Sequence, residues 1–461
     1  MQLKRSLINS TFIAMLSAGS SYAATSEQGP VTSDVNPQVH EMTLANGMKI
    51  IVKEDHRAPV AVSQIWYKVG SSSEHNGITG VSHVLEHMMF KGTKKYGPNE
   101  FSRIIAANGG RENAFTGRDY TAYFQTMEKR HMPLSFELEA DRMRNLILDP
   151  EEFKKEVQVV MEERRMRTED NPQALTYEQF SAAAYVNNPY HAPVIGWMDD
   201  LKSMQADDLA HWYRLWYAPN NATLVVAGDV DPKFIFSEAK KHFASIKPSD
   251  LPARKPQREI RQLGEKRIKV KAPAKVPYLI MGYKVPSIIN ASESWEPYAL
   301  EVMAWVLDGG NSSRFSKELI RNQQIAVGAG AGYDAFSPQQ ELFVFSGTPS
   351  ANKTVDQLET AIREQITLLQ NKPASKAELN RVKAQVIAGK VYEKDSTFYQ
   401  AMSIGMMETI GMDWELSEQF ADNIKKVTAE QIQQVAKKYF SDDVLTVAVL
   451  EPQAINSGKG E

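Results

Sequence analysis

No cysteine occurs among the 461 residues. Disulfides, thiolate metal sites and cysteine nucleophiles are therefore excluded, and core packing alone must hold the fold. An excess of either charge is missing too. The 53 Lys+Arg against 56 Asp+Glu leave a formal charge of −3, with no basic surplus to attract nucleic acid or an anionic membrane. Long apolar runs are absent beyond the first two dozen residues, so no transmembrane anchor is expected. The start of the chain differs. Lys4 and Arg5 precede an apolar stretch from Leu7 to Ala18, and Ser21-Tyr22-Ala23 places small residues where a signal peptidase cuts. Residues 1–23 are expected to be a cleaved export signal, with cleavage after Ala24 as the alternative. An exported chain of this length without cysteine fits a bacterial periplasm.

What the sequence does have is centred on His83-Val84-Leu85-Glu86-His87. On a helix, residues four apart share a face, so His83 and His87 can meet one metal ion. Glu86 lies on the same side, placed to act on a metal-bound water. This is the inverted zincin arrangement, with two histidines and a glutamate in one helical turn.

Around the motif, Glu41–Leu44 and Met48–Val52 read as strands joined by the turn Ala45-Asn46-Gly47, and Val60–Val69 as a third. Asn113–Thr116 and Tyr120–Phe124 read as strands about Gly117-Arg118-Asp119. Met132–Leu148 and Glu151–Arg167 read as amphipathic helices separated by Asp149-Pro150, and Ala222–Gly228 as a strand. The first half is then repeated. Thr223-Leu224-Val225-Val226 aligns with Thr446-Val447-Ala448-Val449 at an offset of 223, and the motif aligns with Trp305-Val306-Leu307-Asp308-Gly309 at 222. A period this long means a duplicated domain. The expected organisation is a mobile segment 24–37, a metal-bearing domain 38–247, a linker 248–262, a homologous inactive domain 263–455 and a tail 456–461. The expected class is α+β, each domain an antiparallel-rich sheet with helices packed on one face.

A catalytic zinc takes three protein ligands and keeps one position open. The helix Glu151–Arg167 carries Glu156 and Glu163 seven residues apart, on one face and beside an apolar stripe of Val157, Val159, Val160 and Met161. The remaining histidines, at 40, 56, 75, 131, 191, 211 and 242, are read as structural.

His-x-x-Glu-His with 75 residues between His87 and Glu163 resembles the M16 metallopeptidases, the family of pitrilysin, insulin-degrading enzyme and mitochondrial processing peptidase. The resemblance extends to Gly92-Thr93, Gly109-Gly110, Asn188-Pro189-Tyr190-His191, Pro219-Asn220-Asn221, Gly309-Gly310 and Ser312-Ser313-Arg314. It implies that His83, His87 and Glu163 bind one Zn²⁺, that Glu86 is the general base and that Glu156 orients a ligand histidine. It further implies that peptides lie extended along an edge strand holding Asn113 and Ala114. Family enzymes also use an Arg and a Tyr from the C-terminal half. Here Arg321 is kept, but Val327 stands at the tyrosine position. The resemblance therefore implies the zinc-bearing subunit of a pair, with a homologous partner supplying Arg and Tyr, or else a homodimer. The expected function is a zinc metalloendopeptidase, general or narrow in substrate; the alternative is a non-catalytic assembly subunit of the same family.

Overall fold

The computed structural model describes residues 39–454. The expected export signal, the segment 24–37 and the tail 456–461 lie outside the described residues. Within them two sheets recur. The first contains β1 (Val39–Thr43), β2 (Lys49–Glu54), β3 (Val60–Tyr67), β4 (Arg111–Thr116), β5 (Thr121–Glu128) and β6 (Ala222–Gly228), in the order β1-β2-β6-β3-β5-β4. The second contains β7 (Lys266–Pro273), β8 (Tyr278–Val285), β9 (Ala326–Gly332), β10 (Glu341–Pro349) and β11 (Leu445–Gln453), in the order β7-β11-β8-β10-β9. In each, one pair is parallel (β2 with β6 inside the first sheet, β7 with β11 at the edge of the second) and the rest are antiparallel. The fold is α+β, and the duplication is visible in register. Thr223 pairs with Lys49 and Trp66, whereas Thr446 pairs with Lys266 and Gly282.

Strand β3 (VAVSQIWY) is buried on both faces. Its alternate residues Ala61, Ile65 and Tyr67 join the main core of the first half, beneath that half's own helices. Val62 and Trp66 point the other way and need a second cover. That cover comes from the second half: the helix Thr397–Thr409 lays Ala401 and Ile404 against Val62, Trp66, Val225 and Ala227. The favour is returned. The helix Pro172–Ala184 of the first half puts Phe180 and Ala184 against Ile280, Leu342 and Ala448 of the second sheet. Each sheet thus has its own helices on one face and a borrowed helix on the other.

The two borrowed contacts solve one packing problem in opposite ways. In the first, the large residue is on the sheet. A Cβ at Gly405 would stand 2.1 Å from Trp66 Nε1, so only glycine admits the indole. In the second, the large residue is on the helix, and a Cβ at Gly282 would stand 2.5 Å from Phe180 Cζ. Trp66 and Gly282 are the equivalent strand positions. Gly405→Ala is therefore expected to destabilise the protein by about 1–3 kcal/mol through overpacking, measured as a lower midpoint in urea unfolding.

Residues 247–263 carry no regular secondary structure. They are nevertheless tied down. The fully buried Glu259 carboxylate accepts from the backbone N–H groups of Val186, Asn187 and Asn188 at 2.9–3.1 Å, and from Lys284 Nζ at 2.6 Å. Lys49–Glu408 (2.8 Å) and Lys53–Glu418 (3.0 Å) join the two halves elsewhere.

Candidate metal centre

The motif helix runs Val81–Met88 and follows Gly80, whose φ of 89° a side chain would strain. Its N-terminus is satisfied from a distance. Glu74 accepts from the N–H groups of Gly80 (2.7 Å) and Ser82 (2.8 Å), and Asp200 holds the preceding loop through Thr79 Oγ1 (2.6 Å). Val81, Ser82, Val84, Leu85 and Met88 are buried, which leaves His83, Glu86 and His87 together on the accessible face.

The facing helix is Pro150–Arg164. Asp149 caps it through Glu151 and Glu152 N–H, with Pro150 at the first helical position. It ends three residues earlier than the sequence pattern suggests, because Arg165–Glu169 continue as a wider π-type turn, closed by Asp170 N–H to Arg165 C=O at 2.8 Å. Likewise the helix from Met132 stops at Asn145 rather than Leu148, where Leu146 turns extended and pairs with Thr93.

Glu163 Oε2 lies 3.8 Å from His83 Nε2 and 3.5 Å from His87 Nε2. One donor atom from each of His83, His87 and Glu163 falls within 4.8 Å of the others. Donors about 2.0–2.2 Å from a tetrahedral zinc stand about 3.4 Å apart, so the trio fits such an ion after small adjustments. Two imidazoles and one carboxylate also leave positions for water and substrate. Glu156 Oε2 meets His87 Nδ1 at 3.2 Å, and its other oxygen is taken by Lys91. This is the outer contact that fixes an imidazole's tautomer. Glu86 is outside the donor trio, and its Oε2 accepts from Thr116 Oγ1 at 2.5 Å.

Without a metal, the two histidines are held in opposite protonation states, and an ion would have to displace the proton of His87. Burial, with help from His87, lowers His83 to about 3, so its imidazole is neutral and offers a lone pair. Burial alone would lower His87 as well. Hydrogen bonds to Glu156 and Glu163 outweigh that and raise it to about 9. For Glu163 the desolvation cost is outweighed by His87, His83 and Arg167, which bring it to about 2. Glu86 is raised by burial, with the Thr116 bond acting against it.

Asn113 and Ala114 lie on β4, at the edge of the first sheet and against the motif helix. Asn113 Oδ1 accepts from the Ala114 N–H at 3.0 Å. Arg321 stands apart from this group: its guanidinium donates to the Asn311 carbonyl at 2.6 Å in the second half. Val327 is well exposed on β9, and Tyr333 donates to the Pro286 carbonyl. The second-half counterpart of Glu86 is Asp308, which accepts from the Ala331 N–H on the other edge strand, β9. At the same offset Gln385 replaces Glu163, so that copy keeps the helices without the donors. Sequence reasoning missed Thr116, Lys91 and Arg167. Only Arg167 carried a signal, as a cation four residues after Glu163.

Known proteins bear on these observations. A family model described as insulinase (peptidase family M16) matches residues 49–197, and one described as the peptidase M16 inactive domain matches residues 203–386. The zinc protease PqqE of Helicobacter pylori is 31% identical over 90% of this chain and 93% of its own. The uncharacterized zinc protease YmxG of Bacillus subtilis is 26% identical over 90% and 98%. Among solved structures, a protease from H. pylori superposes with a TM-score of 0.85 at 30% identity, covering 90% of this chain and all of that one. The periplasmic protease PqqL of Escherichia coli shares the fold, with a TM-score of 0.74 at 17% identity over 91% of this chain and 49% of its own. With both halves matched and a relative above 30% identity along nearly its whole length, this chain belongs to the M16 peptidase family.

Proposed function

We propose that the protein is a zinc metalloendopeptidase that hydrolyses extended, unfolded peptides. The observation carrying this reading is the convergence of His83, His87 and Glu163, from two helices, with Glu86 beside them and free of the donor trio. In this reading those three residues hold one zinc ion, and Glu156 keeps the His87 ring in place. When bound, zinc supplies the Lewis acidity that makes water a nucleophile near neutral pH and polarises a carbonyl. Glu86 takes a proton from the attacking water and delivers it to the amine nitrogen as the C–N bond breaks. Edge strand β4, with Asn113 and Ala114, pairs with the substrate backbone, which makes recognition depend on extended shape more than on side chains.

The site of action is the periplasm, a reading supported by the N-terminal export pattern and the lack of cysteine. Arg321 engages its own loop and Val327 replaces a tyrosine, which supports a homologous partner subunit completing the site; a homodimer is the second arrangement. The non-catalytic alternative draws on the inactive-domain match, but that match covers the half that lacks the donors.

The test is to purify the mature chain with and without a homologous subunit, then measure zinc content and cleavage of a random peptide library. Zinc near one per chain and chelator-sensitive cleavage are expected. His83→Ala, His87→Ala and Glu163→Gln should each lose both metal and cleavage. Full cleavage by any of these three after exhaustive chelation would defeat the assignment.

A further inference from the structure

The two oxygens of Glu163 do different things. Oε2 faces both imidazoles, whereas Oε1 forms an ion pair with Arg167 Nη1 at 2.6 Å. Arg167 reaches it from the π-type turn Arg165–Glu169. Immediately before that turn, Arg164 goes inward to Glu178 at 2.7 and 2.9 Å and to the Gly196 carbonyl at 2.9 Å, anchoring the backbone that leads to Arg167. The neighbouring carboxylate follows the same scheme, since Glu156 gives one oxygen to His87 and the other to Lys91. Glu156 and Glu163 therefore each have one oxygen held by a cation and one turned to the histidines.

We propose that Arg167 is a positioning residue that limits Glu163 to a single oxygen as a metal ligand. This rests on the zinc reading above and adds to it a determinant of coordination number. A free carboxylate can bind a cation through both oxygens, filling a position that water or a peptide carbonyl would otherwise take. A guanidinium on Oε1 occupies the second oxygen with a directional, charge-assisted bond. It also opposes rotation of the carboxylate about its last torsion, which is otherwise soft. Arg167 makes no other hydrogen bond or ion pair among the described residues, and its side chain is 39% exposed, so a purely structural role has little to support it.

The test uses Co²⁺ as the probe, loaded into the metal-free full chain, with the visible absorption spectrum as readout of coordination number. Wild type and Arg167→Lys, which keeps a cation within reach, should give the same intense four-coordinate spectrum. Arg167→Met should still bind one Co²⁺ per chain but give a weaker spectrum of higher coordination. Its kcat/KM with zinc should fall on the order of ten- to a hundredfold, the range that groups supporting a metal ligand command. Arg167→Gln, a smaller change at the same exposed position, replaces the Met variant if that one does not fold. A spectrum of the Met or Gln variant that superimposes on wild type overturns the inference while leaving the zinc reading intact. Wild type that binds no Co²⁺ and no Zn²⁺ overturns the zinc reading itself, and this inference with it.

Discussion

Glu86→Gln is expected to keep its full complement of zinc and to lose about 10²- to 10⁴-fold in kcat, the contribution of a positioned proton carrier. The two effects separate because Glu86 touches none of the donor atoms. Its Oε2 accepts from Thr116 Oγ1, a bond that a glutamine oxygen can accept equally well. Shape, burial and the Thr116 contact are thus retained, and only the ability to take a proton is removed. Burial raises the Glu86 carboxyl, bringing it closer to the range where a base both accepts and releases a proton near neutrality. Metal analysis of the purified variant beside steady-state peptide hydrolysis is the check. Near-normal turnover would assign the proton transfer to another group, and loss of zinc would mean that Glu86 supports the donors.

The second large effect is on stability. Arg142 and Glu139 are both wholly buried, and the guanidinium donates Nε and Nη2 to the carboxylate at 2.8 and 2.5 Å. Gln125 Nε2 donates to the same carboxylate at 2.6 Å, and Ser135 donates to Gln125. Around the guanidinium stand Phe101, Tyr123 and Phe90, with ring centroids 4.3, 4.5 and 5.3 Å away. Arg142→Met removes the cation and leaves the Glu139 charge in an apolar site, which should cost about 3–5 kcal/mol. The double variant Arg142→Met, Glu139→Gln removes both charges and should recover part of that loss. Chemical unfolding of the single and double variants measures the coupling. Equal losses in the two would show that aromatic packing, not the charge pair, dominates. Phe90 directly follows the motif helix region, so this charge pair also braces the ground on which the histidines stand.

Local features were the legible ones. His83 and His87 are four apart, a spacing that places two rings on one helical face whatever surrounds them. Glu156 and Glu163 are two turns apart on a helix with an apolar stripe, and both acids do reach the histidines. The strands before the motif were readable because a Gly-containing turn separates two apolar runs. Thr116 was not, since its bond to Glu86 spans 30 residues and depends on where β4 meets the motif helix. The π-type turn was hidden for a different reason: Arg165–Glu169 keeps helical composition, and no residue in it marks a change of winding. The borrowed helices were hidden as well, because a largely apolar segment such as Thr397–Thr409 does not say whose sheet it will meet.

That mutual loan has a consequence for how such a chain can change over time. Neither copy of the duplicated unit is a self-sufficient body, because each would expose a bare apolar sheet if its sibling were removed. Selection can thus erase chemistry from one copy while still demanding its shape. The tryptophan and glycine standing where His83 and His87 have their counterparts fit that demand: the second copy serves as masonry without the imidazoles.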